Sequence, residues 1–274
     1  MRGKGQRFKE KEKKRRGVLI TILEIFFILL MIISGVMIVL WKIDNENNKK
    51  ILEEIAKVVV IDETKPQDDK ERYKIDFEEL KKINPDVIGW IKVNGVDVEF
   101  PVVQAKNNNY YITHSLDKSY NRAGWIFADY KNKFDGTDRN IIIYGHNRKD
   151  GSMFAPLKEV LKPEWYNNED NRIILFVTEN KKYSCEIFSI YKIENEEYYI
   201  QTEFNDSSFK KFITTIKNRS IVDFNIDVNV ENQILTLSTC DDNNDYRIVI
   251  HAKIEEEIEE NQEENMEENK GEEI

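Results

Sequence analysis

Apolar and polar residues alternate over much of the chain, and this pattern predicts a domain built mainly of β-strands. The run VIGWIKVNGVDVEFPVVQ contains two β-rich segments around Asn94-Gly95, a dipeptide that favours a type I′ hairpin turn. Further β-branched, apolar runs predict strands at residues 124–129, 140–144, 172–178, 182–192, 234–239 and 246–254. Eight strands with a few inserted helices favour a closed or nearly closed β-barrel.

Three segments of this domain carry helical signals. In DFEELKKINPD, Asp76 precedes Glu79 by three residues, as in a capping box, and Pro85 ends the helix. A second helix is predicted at residues 152–161, and a third over DSSFKKFITTIKNRS with Asp206 as its cap. The third helix has an apolar face formed by Phe209, Phe212, Ile213 and Ile216.

Near the N-terminus the alternation gives way to an unbroken apolar run. Residues 18–41 carry one charge, at Glu24, and are long enough to cross about 30 Å of hydrocarbon. Residues 1–17 carry nine Lys or Arg against two Glu, which predicts a cytoplasmic N-terminus and an extracellular domain. The run is long for the core of a signal peptide and no Ala-x-Ala-like site follows, so an uncleaved signal-anchor is favoured over a cleaved signal peptide.

The rest of the chain divides by its polarity. Residues 42–72 predict a stalk with a short helix near residues 51–58 and a linker near residues 65–72, and residues 73–254 predict the folded domain. Residues 255–274 contain eleven Glu and one Lys without an apolar period, and they predict a disordered acidic tail. This tail carries the equivalent of the whole net charge of −10.

Charge and motifs exclude several classes of function. The basic residues cluster only at the N-terminus, so no nucleic-acid partner is predicted. Spacings typical of zinc ligands, of a P-loop or of a dinucleotide-binding loop are absent, so neither a metal nor a cofactor is predicted.

One of the two cysteines occupies a position suited to chemistry. Cys240 ends a predicted strand, five polar residues follow, and Arg247 lies early in the next strand. A thiolate is a strong nucleophile near neutral pH if a base or a cation lies beside it, and Arg247 stays cationic. The alternatives are that Cys240 is a small core residue and Arg247 a solvated charge. Cys185, in the middle of a predicted strand, is interpreted as packing.

Three histidines are candidates for a base. His146 directly follows a predicted strand and Gly145, at a strand-to-loop corner of the kind that commonly holds catalytic groups. His114 lies in a predicted loop. His251 lies within the last strand and is interpreted as structural.

Several motifs, in order, resemble those of the sortase family and of its class B. TLSTC followed by YRIVIHAKI resembles the family pattern TLxTC and a later arginine, and YGHNRKDGSMFAPL resembles the class B histidine motif. VNGVDVEFPVVQ and RAGWIFAD are similar as well, so that the resemblance spans about residues 73–254. The helix predicted after Asp206 resembles the class B insertion between the sixth and seventh barrel strands.

The resemblance implies an eight-stranded β-barrel cysteine transpeptidase on the outer face of a Gram-positive membrane. Such enzymes cleave a C-terminal sorting motif of secreted proteins after its Thr and pass the acyl group to an amine of lipid II, the peptidoglycan precursor, or to a pilin lysine. The motif, NPxTN-like or PxTG-like, stays open, and the acidic tail is not a family feature. By motif, Cys240 is the nucleophile, His146 the acid/base and Arg247 the group that steadies the substrate carbonyl or oxyanion, while Ser238 and Tyr144 line the substrate site.

Two other functions remain open. A membrane-anchored binding or scaffold protein would keep the barrel without turnover, although the full set of Cys, His and Arg argues against it. A thiol protease would pass the same acyl group to water instead of an amine.

Overall fold

A computed structural model describes residues 3–61, 73–194, 196–240 and 246–259, with backbone alone at residues 3–15, 61, 240 and 256–259. The chain divides into two compact units, Met1–Lys49 and Lys50–Ile274. The linker predicted near residues 65–72 and the tail beyond residue 259 lie outside the described residues.

The apolar run near the N-terminus lies within a long helix, α1 (Gly3–Ile55). From Arg16 onward this helix is long and apolar enough to cross a membrane. The sequence predicts a separate short helix near residues 51–58, but α1 continues to Ile55 because neither glycine nor proline occurs in residues 36–55 to interrupt it.

Part of the predicted stalk belongs to the second unit. Ile51 and Ile55 are buried in the hydrophobic core, and β1 (Val59–Ile61) pairs antiparallel with β2 (Tyr73–Ile75). Burial removes these apolar side chains from water and so stabilises the folded unit. The sequence predicts that the domain starts at Tyr73, but the second unit begins upstream of that residue.

In the described part of the chain eight strands close into a barrel, as the sequence predicts. The strands are β3 (Val87–Val93), β4 (Val98–Val103), β5 (Phe127–Ala128), β6 (Asn140–Gly145), β7 (Ile173–Val177), β8 (Lys181–Glu194), β9 (Ile234–Cys240) and β10 (Tyr246–Glu259). The barrel order is β10-β8-β7-β3-β4-β5-β6-β9, and β9 pairs with β10 to close it. Two pairs of neighbours, β4 with β5 and β6 with β9, are parallel.

Two of the predicted helices form with their apolar faces buried. Asp76 caps the helix α2 (Phe77–Ile83), since its carboxylate accepts from the backbone N–H of Glu79 at 3.0 Å. The predicted capping box is not completed, because the Asp76 N–H donates to the carbonyl of Val58 at 3.0 Å. The short helix α3 (Pro163–Tyr166) follows later in the chain. The helix α4 (Asp206–Arg219) packs on Phe188 and Val249, outside the main barrel core, through Phe209, Phe212, Ile213 and Ile216.

The structure corrects the predicted cap of α4. Asp206 is the first helical residue, and Asn205 is the cap. The Asn205 side chain accepts from the Ser208 N–H at 2.8 Å, and the Ser208 hydroxyl accepts from the Asn205 N–H at 3.0 Å. This reciprocal pair satisfies two N–H groups that the first turn leaves open.

Two further predictions are wrong in detail. Residues 152–161 form only a 3₁₀ helix at Ala155–Leu161, because Met153 has a left-handed φ of 58° and Pro163 forces Lys162 into an extended conformation. The β3–β4 hairpin is present, but four residues join Val93 to Val98, and only Gly95 among them has a positive φ. A type I′ turn would require positive φ at both central residues.

The last strand is longer than predicted. The sequence ends it at Ile254, whereas β10 pairs with β8 up to Glu259 opposite Lys181. The first residues of the predicted acidic tail therefore belong to the sheet, because β8 is long enough to supply backbone partners for them.

Candidate active site

Three strand ends meet at one edge of the barrel. The last residue of β6, Gly145, is paired with Thr239 of β9, and the two strands are parallel. His146, which directly follows β6, and Cys240, the last residue of β9, therefore lie side by side on neighbouring strands about 5 Å apart. On the other side of β9, Arg247 is the partner of Cys240 in β10.

A cleft of about 480 Å³ opens at this edge. Four of the five site residues predicted from the sequence line it, namely Tyr144, His146, Ser238 and Arg247. Cys240 is placed next to them by its backbone pairing, and its side chain lies outside the described atoms. The other lining residues include Asn108, Asn109, Ile112, Phe127, Glu196, Glu197, Tyr199 and Ile200.

The imidazole of His146 is held by a backbone carbonyl. Its Nε2 lies 2.9 Å from the carbonyl oxygen of Ile112, and a carbonyl can only accept, so Nε2 carries a proton. In neutral His146 the nitrogen left to exchange a proton is therefore Nδ1. Gly124 makes this contact possible, because a Cβ at Gly124 would lie 2.7 Å from the Ile112 oxygen and 2.8 Å from Cδ2 of His146.

Burial lowers the pKa of His146 below its ordinary value of 6.5, and the positive charges of Arg148 and Arg247 lower it further. The hydrogen bond to Ile112 acts in the opposite direction, since it stabilises the imidazolium. The lowered pKa favours the neutral imidazole, which is the form that accepts a proton.

The other predicted lining residues are fixed by hydrogen bonds. The Tyr144 hydroxyl donates to the Asp129 carboxylate at 2.9 Å, and Asn108 donates to the same oxygen at 2.8 Å. Burial and the Asp129 charge raise the pKa of Tyr144, so its phenol stays protonated. Ser238 is 2% exposed, and its hydroxyl is 2.9 Å from that of Tyr199.

The remaining candidates lie away from the cleft lining. His251 is fully buried between Thr236 and Tyr191, in keeping with its interpretation as structural. His114 bonds the Tyr110 carbonyl at 2.8 Å and stacks on the Tyr110 ring. Cys185 is fully buried within β8. Among the described residues no group of three His, Cys, Asp or Glu side chains could hold a metal ion.

Sequence reasoning missed several residues that build the cleft. Asn108 and Tyr199 lie in turns, and Ile112 ends a three-residue 3₁₀ helix (Tyr110–Ile112), so no periodicity marks these residues as facing a site. Ile112 contributes a backbone carbonyl that holds His146, and every residue type has such a carbonyl, so the sequence cannot single it out. The signal that exists, NNNYYITHS, is a run of polar and aromatic residues in a loop, and it specifies no partner.

Comparison with known proteins identifies the family. The Sortase domain model matches residues 91–255. Sortase B of Staphylococcus aureus (strain NCTC 8325 / PS 47) is 35% identical over 239 residues, which cover 86% of this chain and 96% of the relative. The X-ray structure of Clostridium perfringens sortase B is 36% identical with a TM-score of 0.62, covering 66% of this chain and 100% of that one.

A Staphylococcus aureus sortase B-substrate complex is similar as well. It is 38% identical with a TM-score of 0.62 and covers 66% of this chain and 84% of its own. The barrel, the cleft at the ends of β6 and β9 and these matches all indicate the same family. The chain belongs to the sortase family, a family of transpeptidases, and within it to class B.

Proposed function

We propose that this class B sortase cleaves a C-terminal sorting motif of secreted proteins after its Thr and transfers the acyl group to an amine. The acceptor is the amine of the lipid II peptidoglycan precursor, or a pilin lysine. The observation that carries the proposal is the placement of Cys240 between His146 and Arg247 at the edge of a cleft. The similarity to a sortase B that has been solved with its substrate supports a peptide as the ligand of this cleft.

Cys240 is the nucleophile in this proposal. Its thiolate attacks the Thr carbonyl carbon and forms a tetrahedral oxyanion, which collapses to a thioester as the Thr–X peptide bond breaks. Nδ1 of His146 takes the proton of the Cys240 thiol and then gives it to the leaving amine. The incoming amine then attacks the thioester, neutral His146 takes its proton at Nδ1, and the thiolate leaves.

Arg247 supplies the charge for both half-reactions. As the backbone partner of Cys240 in β10, it is one strand spacing from the nucleophile, and its charge already acts on His146. A guanidinium presents planar N–H donors to an oxyanion or a substrate carbonyl and keeps its charge at every relevant pH. The same charge favours the thiolate of Cys240 over the thiol.

The lining residues position the peptide. Tyr144 and Ser238 lie on β6 and β9 next to the reacting edge, where they flank a motif bound along the cleft. An amine outcompetes water only when it is well placed, so hydrolysis is the expected slow side reaction.

The N-terminal helix anchors the enzyme in this proposal. The helix is apolar over residues 18–41 and follows a basic segment at residues 1–17, so we place the N-terminus in the cytoplasm, the catalytic domain outside and the chain in the cell membrane with a single span. The assignment of residues 73–254 as the catalytic domain stays a prediction, although the core and the sheet extend beyond both bounds.

The test is cleavage of fluorogenic peptides varied around a P-x-T core, with and without an amine acceptor. Cys240→Ala is expected to abolish cleavage and trapping by hydroxylamine, His146→Ala to be similarly severe, and Arg247→Lys to be poor. Cys185→Ala is the matched control and should keep most activity, because Cys185 packs in the core. Activity in Cys240→Ala together with its loss in Cys185→Ala would overturn the assignment. Acyl transfer to water alone would indicate a thiol protease, and a chain with no turnover would be a binding or scaffold protein.

A further inference from the structure

One wall of the cleft is irregular backbone. Residues 196–204 connect β8 to α4 without forming a helix or strand, and Glu196, Glu197, Tyr199 and Ile200 line the cleft from this segment. Irregular backbone keeps one conformation only if other groups satisfy its carbonyls and N–H groups. The contacts that fix this wall therefore decide whether the cleft is preformed.

Asn140 supplies such contacts from the first residue of β6. Its side chain is fully buried, and its Nδ2 donates to the carbonyl of Tyr199 at 3.2 Å and to that of Gln201 at 2.8 Å. Its Oδ1 accepts from the Thr236 hydroxyl at 2.5 Å. Both N–H donors of the amide are thus used on the cleft wall, and its oxygen is used on β9.

A directed chain of hydrogen bonds continues from Asn140. The Thr236 hydroxyl donates its hydrogen bond to Asn140, so at 2.8 Å from Nδ1 of His251 it must be the acceptor and Nδ1 the donor. Nε2 of His251 then accepts from the Tyr191 hydroxyl, also at 2.8 Å. Tyr191 in turn accepts from Tyr198, which lies within the wall segment itself.

In this chain of hydrogen bonds, one arrangement of the protons gives every donor an acceptor. That arrangement requires His251 to be neutral. Burial lowers the pKa of His251 to about 3, in keeping with that state. The chain begins at Tyr198 and returns through Asn140 to Tyr199 and Gln201, so it ties the wall to β6, β9 and β10 at both ends. A further tie joins the Tyr199 hydroxyl to Ser238.

We propose that Asn140 is a positioning residue of this sortase, which fixes the Tyr199–Ile200 wall of the cleft and so sets the affinity for the sorting-motif peptide. The inference rests on the proposed function. Thr236 and His251 hold the Asn140 amide in the orientation that points both N–H groups at the wall. None of the three lines the cleft, so their effect is on the shape of the binding site and not on the reacting atoms.

Asn140→Asp tests this with almost no change in volume, because it replaces the donating NH₂ by an oxygen that faces two carbonyls. Thr236→Val removes only the hydroxyl that orients the amide and serves as a milder second variant. Asn94→Asp is the matched control: Asn94 is also buried and donates through Nδ2 to a backbone carbonyl, that of Asp170 in a short 3₁₀ helix, but it does not line the cleft.

The full-length variants are measured in detergent micelles in two ways. Fluorescence anisotropy in a Cys240→Ala background gives the Kd of labelled NPxTN-type and PxTG-type peptides. Steady-state cleavage with Cys240 present gives KM and kcat, and alkylation by iodoacetamide gives the reactivity of the Cys240 thiol. Loss of the two hydrogen bonds to the wall is expected to raise Kd and KM about tenfold or more, with kcat and alkylation within about twofold of wild type. Thr236→Val should shift Kd in the same direction by less.

Two results would overturn the proposal. The first is an unchanged peptide Kd in both variants, with a loss of melting temperature like that of Asn94→Asp, which would make Asn140 a purely structural residue. The second is a parallel fall of peptide binding and thiol alkylation, which would indicate general loss of the fold around the site. Failure of the proposed function has a different signature, since wild-type protein would then bind or cleave none of the peptides.

Discussion

Gly124 and His146 are in contact in a way that no other residue type at position 124 would allow. A Cβ on Gly124 would lie 2.8 Å from Cδ2 of the imidazole and 2.5 Å from the carbonyl oxygen of Tyr111. Gly124 also has a φ of +61°, a conformation that glycine adopts without strain. The hydrogen bond that orients His146 toward the cleft thus depends on a residue with no side chain.

Gly124→Ala is therefore expected to reduce peptide cleavage at least about tenfold, since a misplaced acid/base loses much of its contribution. Gly136→Ala is the control, because Gly136 has a φ of +85° but no atom within 4 Å of the added Cβ. Both variants carry the cost of a left-handed alanine, about 1–2 kcal/mol, so the melting temperatures should fall in both. Equal activity in the two would show that the orientation of His146 does not depend on Gly124.

Arg148→Gln is expected to raise the pKa of His146. The Arg148 charge is one of the causes that lower this pKa, and its removal favours the imidazolium. The protonated fraction falls as pH rises through the pKa, so the acid-requiring limb of the pH profile of kcat/KM should move to higher pH. An NMR titration of the imidazole C–H signals measures the shift directly. Lys149→Gln, one position further along the chain, controls for the loss of a charge and should leave the pKa in place.

Truncation separates the end of the sheet from the acidic tail. Removal of the residues after Glu259 should leave the melting temperature and peptide cleavage close to those of the full chain. Removal after Ile254 also deletes the pairing of Glu257 with Tyr183 and of Glu259 with Lys181, so it should lower the melting temperature. Thermal unfolding followed by circular dichroism compares the two, and identical curves would show that these pairs add no stability.

Protease accessibility tests the orientation in the membrane. In intact protoplasts an added protease should digest the domain beyond residue 42 and spare residues 1–17, because the basic segment precedes the apolar run. An epitope tag at each end makes both fragments visible on a blot. Protection of the domain would reverse the proposed topology.

Local patterns were sufficient for much of this fold. Each barrel strand left its own mark in residue type and alternation, and the cap at Asp76 and the apolar face of α4 were visible within a few residues. The bounds of the folded unit were mispredicted where a distant partner decides them. The final strand exceeds its apolar run because β8 supplies partners up to Lys181, and the apolar residues before Tyr73 join the second unit.

The site shows the same division. Cys240, Arg247 and His146 could be selected because strand ends and residue chemistry are local properties. The parallel pairing of β6 with β9, which places His146 beside Cys240, joins residues 94 positions apart (Gly145 with Thr239) and has no local signal. Asn140 was no more than the start of a strand, since its partners at residues 199, 201 and 236 come from elsewhere in the chain.

The long final strand separates the cleft edge, at its start, from the end of the sheet. Arg247 stands near its start, opposite Cys240, and the strand then runs twelve positions to Glu259, roughly 40 Å away in extended chain. Glu259, the last residue of β10, thus lies far along the strand from the cleft edge. Sequence joined after Glu259 is therefore attached to the sheet at this distance along β10 from the pairing of Arg247 with Cys240.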